Sequence, residues 1–360
     1  MRAEIIDIAG LTARQWGAWS DLAERACVAN PFNEPDFVKS AVRGLDERRV
    51  GVLAVTDRHG WRAAMPVLRV ARWRRVPGRL LVAWRHRYCY LTTPLVDRDD
   101  PEAALATLFA RGAAEPGTLG LMLDWIDTDG PVGAALEAGV LRARRPLRIE
   151  GFARATLERR PSNDYVAQMV STKRRRELRR LRSRFEDEVG PLMLYDRAGE
   201  GDAVAGFLEL ERSGWKARAG TAMANSSSHA RFFVELCERY AATSRMQLLT
   251  LETESATVAM KCNLVAGEGI FCFKIAFDER FARFSPGIQL ELANIDVFHD
   301  RKSATWMDSC AAADNAMINR LWSDRRTLQS VLIAPHGPRG ALGSMLWRTA
   351  RSAHTAIVDR

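Results

Sequence analysis

The pattern of apolar and polar positions predicts alternating helices and strands in the first half of the chain. Residues 3–8 read as a strand, and Thr12 is a suitable N-cap for a helix with apolar side chains at helical spacing. A second helix ends near Gly44, and residues 50–56 and 61–70 form the two strands of a hairpin. This order, followed by further helices and strands, predicts an α/β or α+β domain with a mixed sheet.

The second half repeats this order in outline. A long helix over residues 165–189 is followed by further helices and by a strand pair at 246–251 and 256–265. A polar, proline-containing break at residues 159–164 suggests a boundary. We therefore expect a tandem duplication of one domain type, with an N-terminal domain at 1–160 and a C-terminal domain at 161–360.

One stretch, residues 271–295, combines a strand, a short loop and a helix start. Strand alternation places Phe271, Phe273, Ile275 and Phe277 on one face. The loop ends at Ser285-Pro286-Gly287, where the serine suits an N-cap and the proline suits the first helical position. Free amide groups and the helix dipole make such a start a candidate cradle for a phosphate, although many purely structural helices begin in the same way.

Composition narrows the class of protein. The 360 residues are 47% hydrophobic and 27% charged, which is typical of a soluble globular protein. No apolar run approaches the roughly 18 residues of a membrane span, and the first ten residues lack the layout of a signal peptide. The six cysteines are scattered without a Cys-x-x-Cys pair, which argues against zinc and disulfides and for a cytoplasmic location.

The formal net charge of +9 implies an anionic partner without identifying it. The densest charge run, residues 173–184, lies within the predicted long helix. Nucleic acid, an acidic membrane surface and a phosphorylated ligand all fit this run, and so does a solvated helix face. Leu178, Leu181 and Phe185 form a narrow apolar stripe that would dock this helix onto the domain.

The familiar catalytic motifs are absent from the sequence, so candidate residues rest on position alone. Trp215-Lys216 lies in a glycine-framed loop that could close over a ligand or pack onto the core. Asp278 follows the strand directly and could accept a proton or stabilise a turn. Lys274, on the same strand, would raise the local positive potential or pair with Asp278.

These motifs, taken in order, resemble the CelD-type branch of the GNAT acetyltransferase superfamily, which is linked to cellulose and exopolysaccharide biosynthesis. The resemblance rests on the run Lys-Arg-Arg-Arg-Glu-Leu-Arg-Arg-Leu from Lys173, on Ser213-Gly-Trp-Lys216, on Phe277-Asp-Glu279 with Ser285-Pro-Gly287, on Asp308, and on Asn319-Arg-Leu-Trp322. The pattern is also similar to Fem-type aminoacyltransferases, which are tandem acetyltransferase folds.

The resemblance implies that two GNAT-like domains form a pseudo-dimer within a monomer, with acyl-CoA between two splayed strands of the C-terminal domain. It implies transfer of an acetyl or other acyl group to an amine or hydroxyl of a small-molecule or saccharide acceptor, without a metal. The expected catalytic and acceptor-side residues are Asp278, Lys274, Trp215 and Lys216. The expected donor-binding residues are Arg283, Ser285, Pro286, Gly287 and Ile288.

Two alternatives stay open at this point. The superfamily's usual glycine-rich loop is replaced by Arg283-Phe284-Ser285-Pro286-Gly287, as it also diverges in Fem-like relatives, so the donor is either acyl-CoA or aminoacyl-tRNA. With a tRNA donor, the basic helix would follow RNA; otherwise no nucleic-acid partner is expected. A non-catalytic binding protein of a polysaccharide-synthesis system is the third interpretation.

Overall fold

The computed structural model describes residues 1–46, 48–74, 76–138, 146–161, 164–300, 304–341, 343 and 345. The chain divides into two compact units. The first comprises residues 1–38, 46–153 and 326–360, and the second comprises residues 39–45 and 154–325. The chain enters the second unit at residue 39, returns to the first at residue 46, and crosses again after residues 153 and 325. The sequence pattern predicts neither the segment 39–45 nor the return after residue 325, and the boundary at 160 stays a prediction.

The described residues form thirteen strands and eleven α-helices. The strands are β1 (Arg2–Asp7), β2 (Gly51–Asp57), β3 (Gly60–Trp73), β4 (Val76–Ala83), β5 (Leu95–Val96), β6 (Leu121–Asp127), β7 (Leu147–Glu158), β8 (Met193–Asp196), β9 (Met246–Glu252), β10 (Thr257–Ala266), β11 (Gly269–Phe277), β12 (Trp306–Asp308) and β13 (Asp324–Ile333). The helices are α1 (Ala13–Glu24), α2 (Pro35–Gly44), α3 (Pro101–Ala113), α4 (Pro131–Ala138), α5 (Tyr165–Met169), α6 (Thr172–Glu188), α7 (Gly201–Ser213), α8 (Trp215–Arg218), α9 (Ser227–Ala242), α10 (Pro286–Asp300) and α11 (Ala316–Asn319).

The first unit is built on a mixed sheet with the strand order β1-β2-β3-β4-β6-β13. Its first four strands form an antiparallel meander, and β6 then runs parallel to β4 through the pairs Leu81–Leu121 and Val82–Met122. Leu105, Leu108 and Phe109 of α3 are fully buried in the core over this sheet. The predicted mixed α/β architecture is confirmed in this unit.

The second unit repeats the same topology with the order β8-β9-β10-β11-β12-β7. Strands β8 to β11 form the antiparallel meander, β12 runs parallel to β11, and β7 closes the order antiparallel to β12. The last strand of each unit comes from the other half of the sequence, since β13 pairs with β6 and the end of β7 pairs with β12. The repeated element order predicted from the sequence is therefore a repeated fold.

Side-chain caps close the starts of four helices in the described ranges, α1, α3, α6 and α11. Thr12 caps α1 with a reciprocal bond to Gln15, as a capping box requires. The predicted helix over 165–189 is broken into α5 and α6. The break is at Ser171, whose side chain accepts from the Arg174 amide at 3.4 Å and caps α6 anew. A side-chain cap competes with helix continuation, and helical periodicity alone does not reveal that competition.

Candidate active site

The candidate site of the second unit begins where β11 and β12 separate. The two strands pair only through Gly269–Trp306, Ile270–Met307 and Phe271–Asp308. Strand β12 then ends, while β11 continues to Phe277. Beyond Phe271, the edge of β11 that faces away from β10 is therefore not paired with β12. The resulting cleft has the splayed arrangement that the resemblance to GNAT acetyltransferases implies.

A β-bulge in β11 lies at the mouth of this cleft. Cys262 pairs with Lys274 and Asn263 pairs with Cys272, so Phe273 has no partner residue in β10. A bulge adds one residue, bends the strand and reverses the facing of the residues after it. The bend comes directly after the last pair with β12, which accounts for the separation of the two strands.

The bulge overturns the prediction that four residues of β11 share one face. Phe273 stacks on Phe233 of α9. Ile275 and Phe277 pack instead against a cluster that contains Leu290 of α10. The aromatic-x-aromatic pattern continues through the bulge, so the sequence carries no sign of the change of face.

The open edge of β11 offers backbone amide groups. The Asp278 amide donates to Val258 O of β10 at 2.9 Å, whereas Ile275 O accepts from Lys216 Nζ at 2.5 Å on the other edge. Polar groups alternate between the two edges of an antiparallel strand. The N–H groups of Ile275 and Phe277 therefore point into the cleft, where they can donate to a carbonyl oxygen.

Lys216 is held in the cleft by a buried carboxylate. Its Nζ lies 3.0 Å from Oε1 of Glu211, a side chain of α7 with no exposed surface. The second oxygen of Glu211 accepts from the Met223 amide at 2.7 Å. Glu211 thus ties together the lysine, the open strand edge and the following loop. No sequence signal distinguishes Glu211 from the other charged residues on α7.

Trp215 is tied to the end of β11 through Glu279. The Glu279 carboxylate accepts from the Trp215 amide at 2.6 Å and from Arg218 Nη2 at 2.7 Å. The indole itself is 51% exposed beside this link. The structure therefore brings the predicted Trp215-Lys216 pair to the predicted strand end, and the exposed ring is available as a wall for a ligand.

Asp278 directly follows β11 and caps a short 3-10 helix, Glu279–Phe284. Its carboxylate accepts from the Arg280 amide at 2.9 Å and from Arg280 Nε at 2.8 Å. Burial opposes ionisation of Asp278, but the hydrogen bonds and charge of Arg280 outweigh it and hold the pKa below its usual value. Such a carboxylate is a weak base and a good orienting group. Lys274 lies half-buried on the same strand, opposite Cys262.

Helix α10 begins at Pro286, as predicted, but Ser285 is not an extended N-cap. Its backbone is left-handed, with φ 57° and ψ 52°, and it also ends the preceding 3-10 helix. Ser285 O accepts from the amides of Ile288 and Gln289 at 3.0 and 3.1 Å. Gly287 lies against Phe277, 3.5 Å from where a Cβ would be. Arg283 is exposed and pairs with Glu188 at 2.5 Å.

A buried polar network lies between β10, β11 and α10. Lys261 pairs with Glu291 at 2.7 Å, and Asn294 donates to Glu291 at 3.1 Å. Burial lowers the pKa of Lys261, but Cys272 and Glu291 more than compensate and raise it above its usual value. Burial raises the pKa of Cys272 to about 12, so this thiol is not a nucleophile near neutral pH.

The end of β12 forms the other wall of the cleft, and Asp308 at this end is one of the residues on which the resemblance rests. Asp308 is fully buried, and its Oδ1 accepts from the Cys310 amide at 2.7 Å and lies 3.6 Å from Arg154 Nη1. Cys310 has a left-handed backbone, with φ 52°. Strained backbone of this kind concentrates at functional sites. In the part of the chain that the structure describes, no cluster of His, Cys, Asp or Glu is arranged to hold a metal ion.

Comparison with known proteins gives a consistent result for the fold. Residues 172–324 match the family model described as Acetyltransferase (GNAT) domain. The topology of the second unit and this match agree. This unit has the GNAT fold. No curated protein matches the sequence.

Three solved structures resemble nearly the whole chain. FemX has a TM-score of 0.61 at 10% identity, covering 96% of this chain and 100% of its own. A conserved protein from Bacteroides thetaiotaomicron has a TM-score of 0.59 at 13% identity, covering 90% and 98%. The C-terminal domain of a protein assigned as a lysylphosphatidylglycerol synthetase, from Agrobacterium fabrum, has a TM-score of 0.56 at 11% identity, covering 92% and 95%. At these identities the likeness shows the fold alone. Separately, no helix in the described ranges is both long and apolar enough to cross a bilayer.

Proposed function

We propose that the protein is an acyltransferase that moves an acyl group, most simply acetyl from acetyl-CoA, to an amine or hydroxyl of a small-molecule or saccharide acceptor. The observation that carries this proposal is the open edge of β11. Two backbone N–H groups, a lysine and a helix start converge there within a GNAT fold. The resemblance to the CelD-type branch supports an acceptor from polysaccharide or cell-envelope synthesis.

The donor would lie along this edge. The thioester carbonyl accepts from the N–H of Ile275 or Phe277, which stabilises the negative charge that develops on its oxygen. The pyrophosphate would sit at the start of α10, where the dipole is positive and the Gly287 amide lacks a protein acceptor among the described residues. Arg283 is exposed in the last turn of the 3-10 helix Glu279–Phe284, a few residues before this position.

The chemistry is a direct transfer within the cleft. The acceptor nitrogen or oxygen attacks the carbonyl carbon, the new C–N or C–O bond forms, and the C–S bond breaks to release CoA as a thiol. The acceptor loses one proton, and the leaving sulfur takes up one proton to become the thiol. Asp278, held ionised by Arg280, would orient the acceptor, and Trp215 would form its apolar wall.

Release of free thiol from acetyl-CoA tests this proposal. We expect thiol release that depends on an added amine or amino sugar and that falls at least tenfold in Lys216→Met, with less effect from Arg212→Met on the outer face of α7. Arg212 is 57% exposed, and its partner among the described residues is Glu209. Equal rates of thiol release in both variants would show that Lys216 does not take part in the reaction.

A second candidate donor, aminoacyl-tRNA, is favoured by the outer face of α6. Lys173, Arg176, Arg179 and Arg180 are exposed, and none of them has a hydrogen bond or ion pair among the described residues. Four free cations within about two helical turns suit a phosphate backbone. If tRNA is the donor, affinity should fall steeply with salt, and Arg176→Gln with Arg180→Gln should flatten that dependence. If tRNA binding responds neither to salt nor to the two substitutions, α6 is not the tRNA-binding surface.

A further inference from the structure

The first unit contains a cavity of about 440 Å³, which is separate from the site described above. It lies between β3, β4 and β6, where β4 and β6 diverge after only two paired residues. The cavity is within the size range of small-molecule sites. Its walls combine several arginines with aromatic rings, chiefly Arg72, Arg74, Arg85, Arg87, Trp73 and Trp125.

The backbone at the cavity is strained in two places. Trp125 has φ 61° and Arg74 has φ 54°, a region that bulky residues rarely occupy. Trp125 belongs to a β-bulge, because Leu123 pairs with Val331 and Ile126 with Gln329, which leaves two residues of β6 opposite one of β13. Bulges and left-handed residues of this kind often direct side chains into functional sites.

Hydrogen bonds hold this bulge in place. The Thr92 amide donates to Trp125 O at 3.1 Å. Ser330 Oγ donates to Asp124 Oδ1 at 2.6 Å, and the other oxygen of Asp124 accepts from Arg85 Nη1 at 3.0 Å. The bulge thus presents a buried carboxylate, an arginine and an indole to the cavity in one fixed arrangement.

The cavity carries an excess of positive charge. Three of its five arginines have carboxylate partners: Arg48 pairs with Asp46 at 2.6 Å, Arg74 with Glu150 at 2.7 Å and Arg85 with Asp124 at 3.0 Å. The other two, Arg72 and Arg87, are exposed and have no hydrogen bond or ion pair within the described ranges. Burial lowers the pKa of His86 to about 3, so this ring is neutral. Two uncompensated positive charges suit a dianion.

Guanidinium groups stacked on indole rings form flat surfaces next to these charges. The Arg85 guanidinium lies 3.9 Å from the centre of the Trp125 ring, and the Arg74 guanidinium lies 4.2 Å from that of Trp73. Stacked guanidinium and indole groups form platforms on which a planar ring can stack. The combination of a dianion site with such platforms is typical of sites for phosphate esters that carry a ring.

This cavity is not a second copy of the donor cleft. In the second unit the strand leads within nine residues to the start of α10, where the Gly287 amide has no protein acceptor among the described residues. In the first unit the corresponding helix, α3, begins at Pro101, and its start is occupied by the Asp100 carboxylate, which accepts from the Ala103 amide at 3.4 Å. A carboxylate in that position repels a pyrophosphate. The ligand charge must therefore be met by the arginines of the cavity.

We propose that this cavity is a binding site for a nucleotide, whose phosphates contact Arg72 and Arg87 and whose base stacks on a tryptophan–arginine platform. The proposal does not depend on acyl transfer. Binding of UDP and of ADP to the full chain is measured by calorimetry at low salt, with pyrophosphate and uridine as partial ligands. We expect a nucleotide to bind more tightly than either partial ligand, because each lacks one half of the interaction.

The decisive comparison uses two double variants with the same loss of charge. Arg72→Ala with Arg87→Ala should weaken nucleotide binding about tenfold or more, since two charge-assisted contacts are lost. Arg14→Ala with Arg79→Ala removes two exposed arginines outside the cavity lining and should change affinity by less than about twofold. Circular dichroism confirms that both variants fold.

Three outcomes would overturn the proposal. The first is no heat with either nucleotide at millimolar concentration, and the second is an equal loss in both double variants, which indicates non-specific attraction. The third is competition by acetyl-CoA that disappears in the cavity variant, because the cavity would then be the donor site. Nucleotide binding that survives Ser285→Asp, while acetyl-CoA binding does not, would support two separate sites.

Discussion

We expect the ion pair between Lys216 and Glu211 to stabilise the acceptor side of the cleft. Lys216→Met removes the ammonium and leaves the Glu211 carboxylate buried, with the Met223 amide as its one remaining donor among the described residues. At 3.0 Å and an effective dielectric constant of about 20, the lost attraction is about 5 kcal/mol. Breaking a buried pair costs about 3–5 kcal/mol in measured cases, and Lys216 is 20% exposed, so we expect about 3 kcal/mol.

Two further variants separate charge from packing. Glu211→Gln combined with Lys216→Met removes both charges while the amide oxygen can still accept from Met223, so the double variant should cost about 1 kcal/mol. Arg212→Met removes an exposed cation one residue away from Glu211 and should cost less than about 1 kcal/mol. The double variant is thus expected to be more stable than the single Lys216→Met.

Amide hydrogen exchange, followed by mass spectrometry, measures the loss of stability in each segment of the chain. Peptides covering residues 211–223 and 269–277 should exchange about a hundredfold faster in Lys216→Met, while peptides of the first unit stay unchanged. Equal exchange in Lys216→Met and Arg212→Met would contradict this role of the ion pair, and so would a failure of added Glu211→Gln to restore protection. Either result would mean that the carboxylate is satisfied without the lysine.

Three other predictions concern the donor cleft. Ser285→Asp should preserve the fold, because Asp tolerates a left-handed backbone and favours a helix start. It should weaken acetyl-CoA binding about tenfold at low salt by repelling phosphate, whereas Ser285→Asn should leave binding nearly unchanged. Equal calorimetric affinities of the two variants would argue against phosphate at this position. Asp278→Asn should destabilise the protein at neutral pH. The lowered pKa means that the Arg280 interaction stabilises the fold above about pH 4 and is lost below it, so urea midpoints of the two proteins should converge in acid; a constant gap would contradict the pairing. Cys272 should resist iodoacetamide at pH 8 in the folded protein and react after unfolding in urea; modification of the native thiol, seen by peptide mapping, would contradict its burial.

Local chemistry made much of the fold predictable in advance. The Thr12 cap, the hairpin of β2 and β3 and the start of α10 at Pro286 all derive from short-range signals, and the structure contains each of them. These features depend on residues within a few positions of one another. Periodicity and capping therefore predict them without knowledge of the rest of the chain.

The features that the sequence does not show depend on distant partners. The bulge at Phe273 leaves the aromatic pattern intact, so only the register against β10 reveals the change of face. The pairing of β7 with β12 and of β13 with β6 joins residues more than a hundred positions apart. Glu211 looks like any polar residue of α7 until Lys216 and Met223 are placed around it.

Calorimetric titration of the full chain with acetyl-CoA shows whether the protein binds an acyl-CoA donor. The open edge of β11 and the start of α10 predict saturable binding at a single site in the micromolar to submillimolar range. Ser285→Asp should weaken this binding, and Arg72→Ala with Arg87→Ala should leave it unchanged. No heat of binding at millimolar acetyl-CoA would contradict an acyl-CoA donor and direct attention to aminoacyl-tRNA on α6.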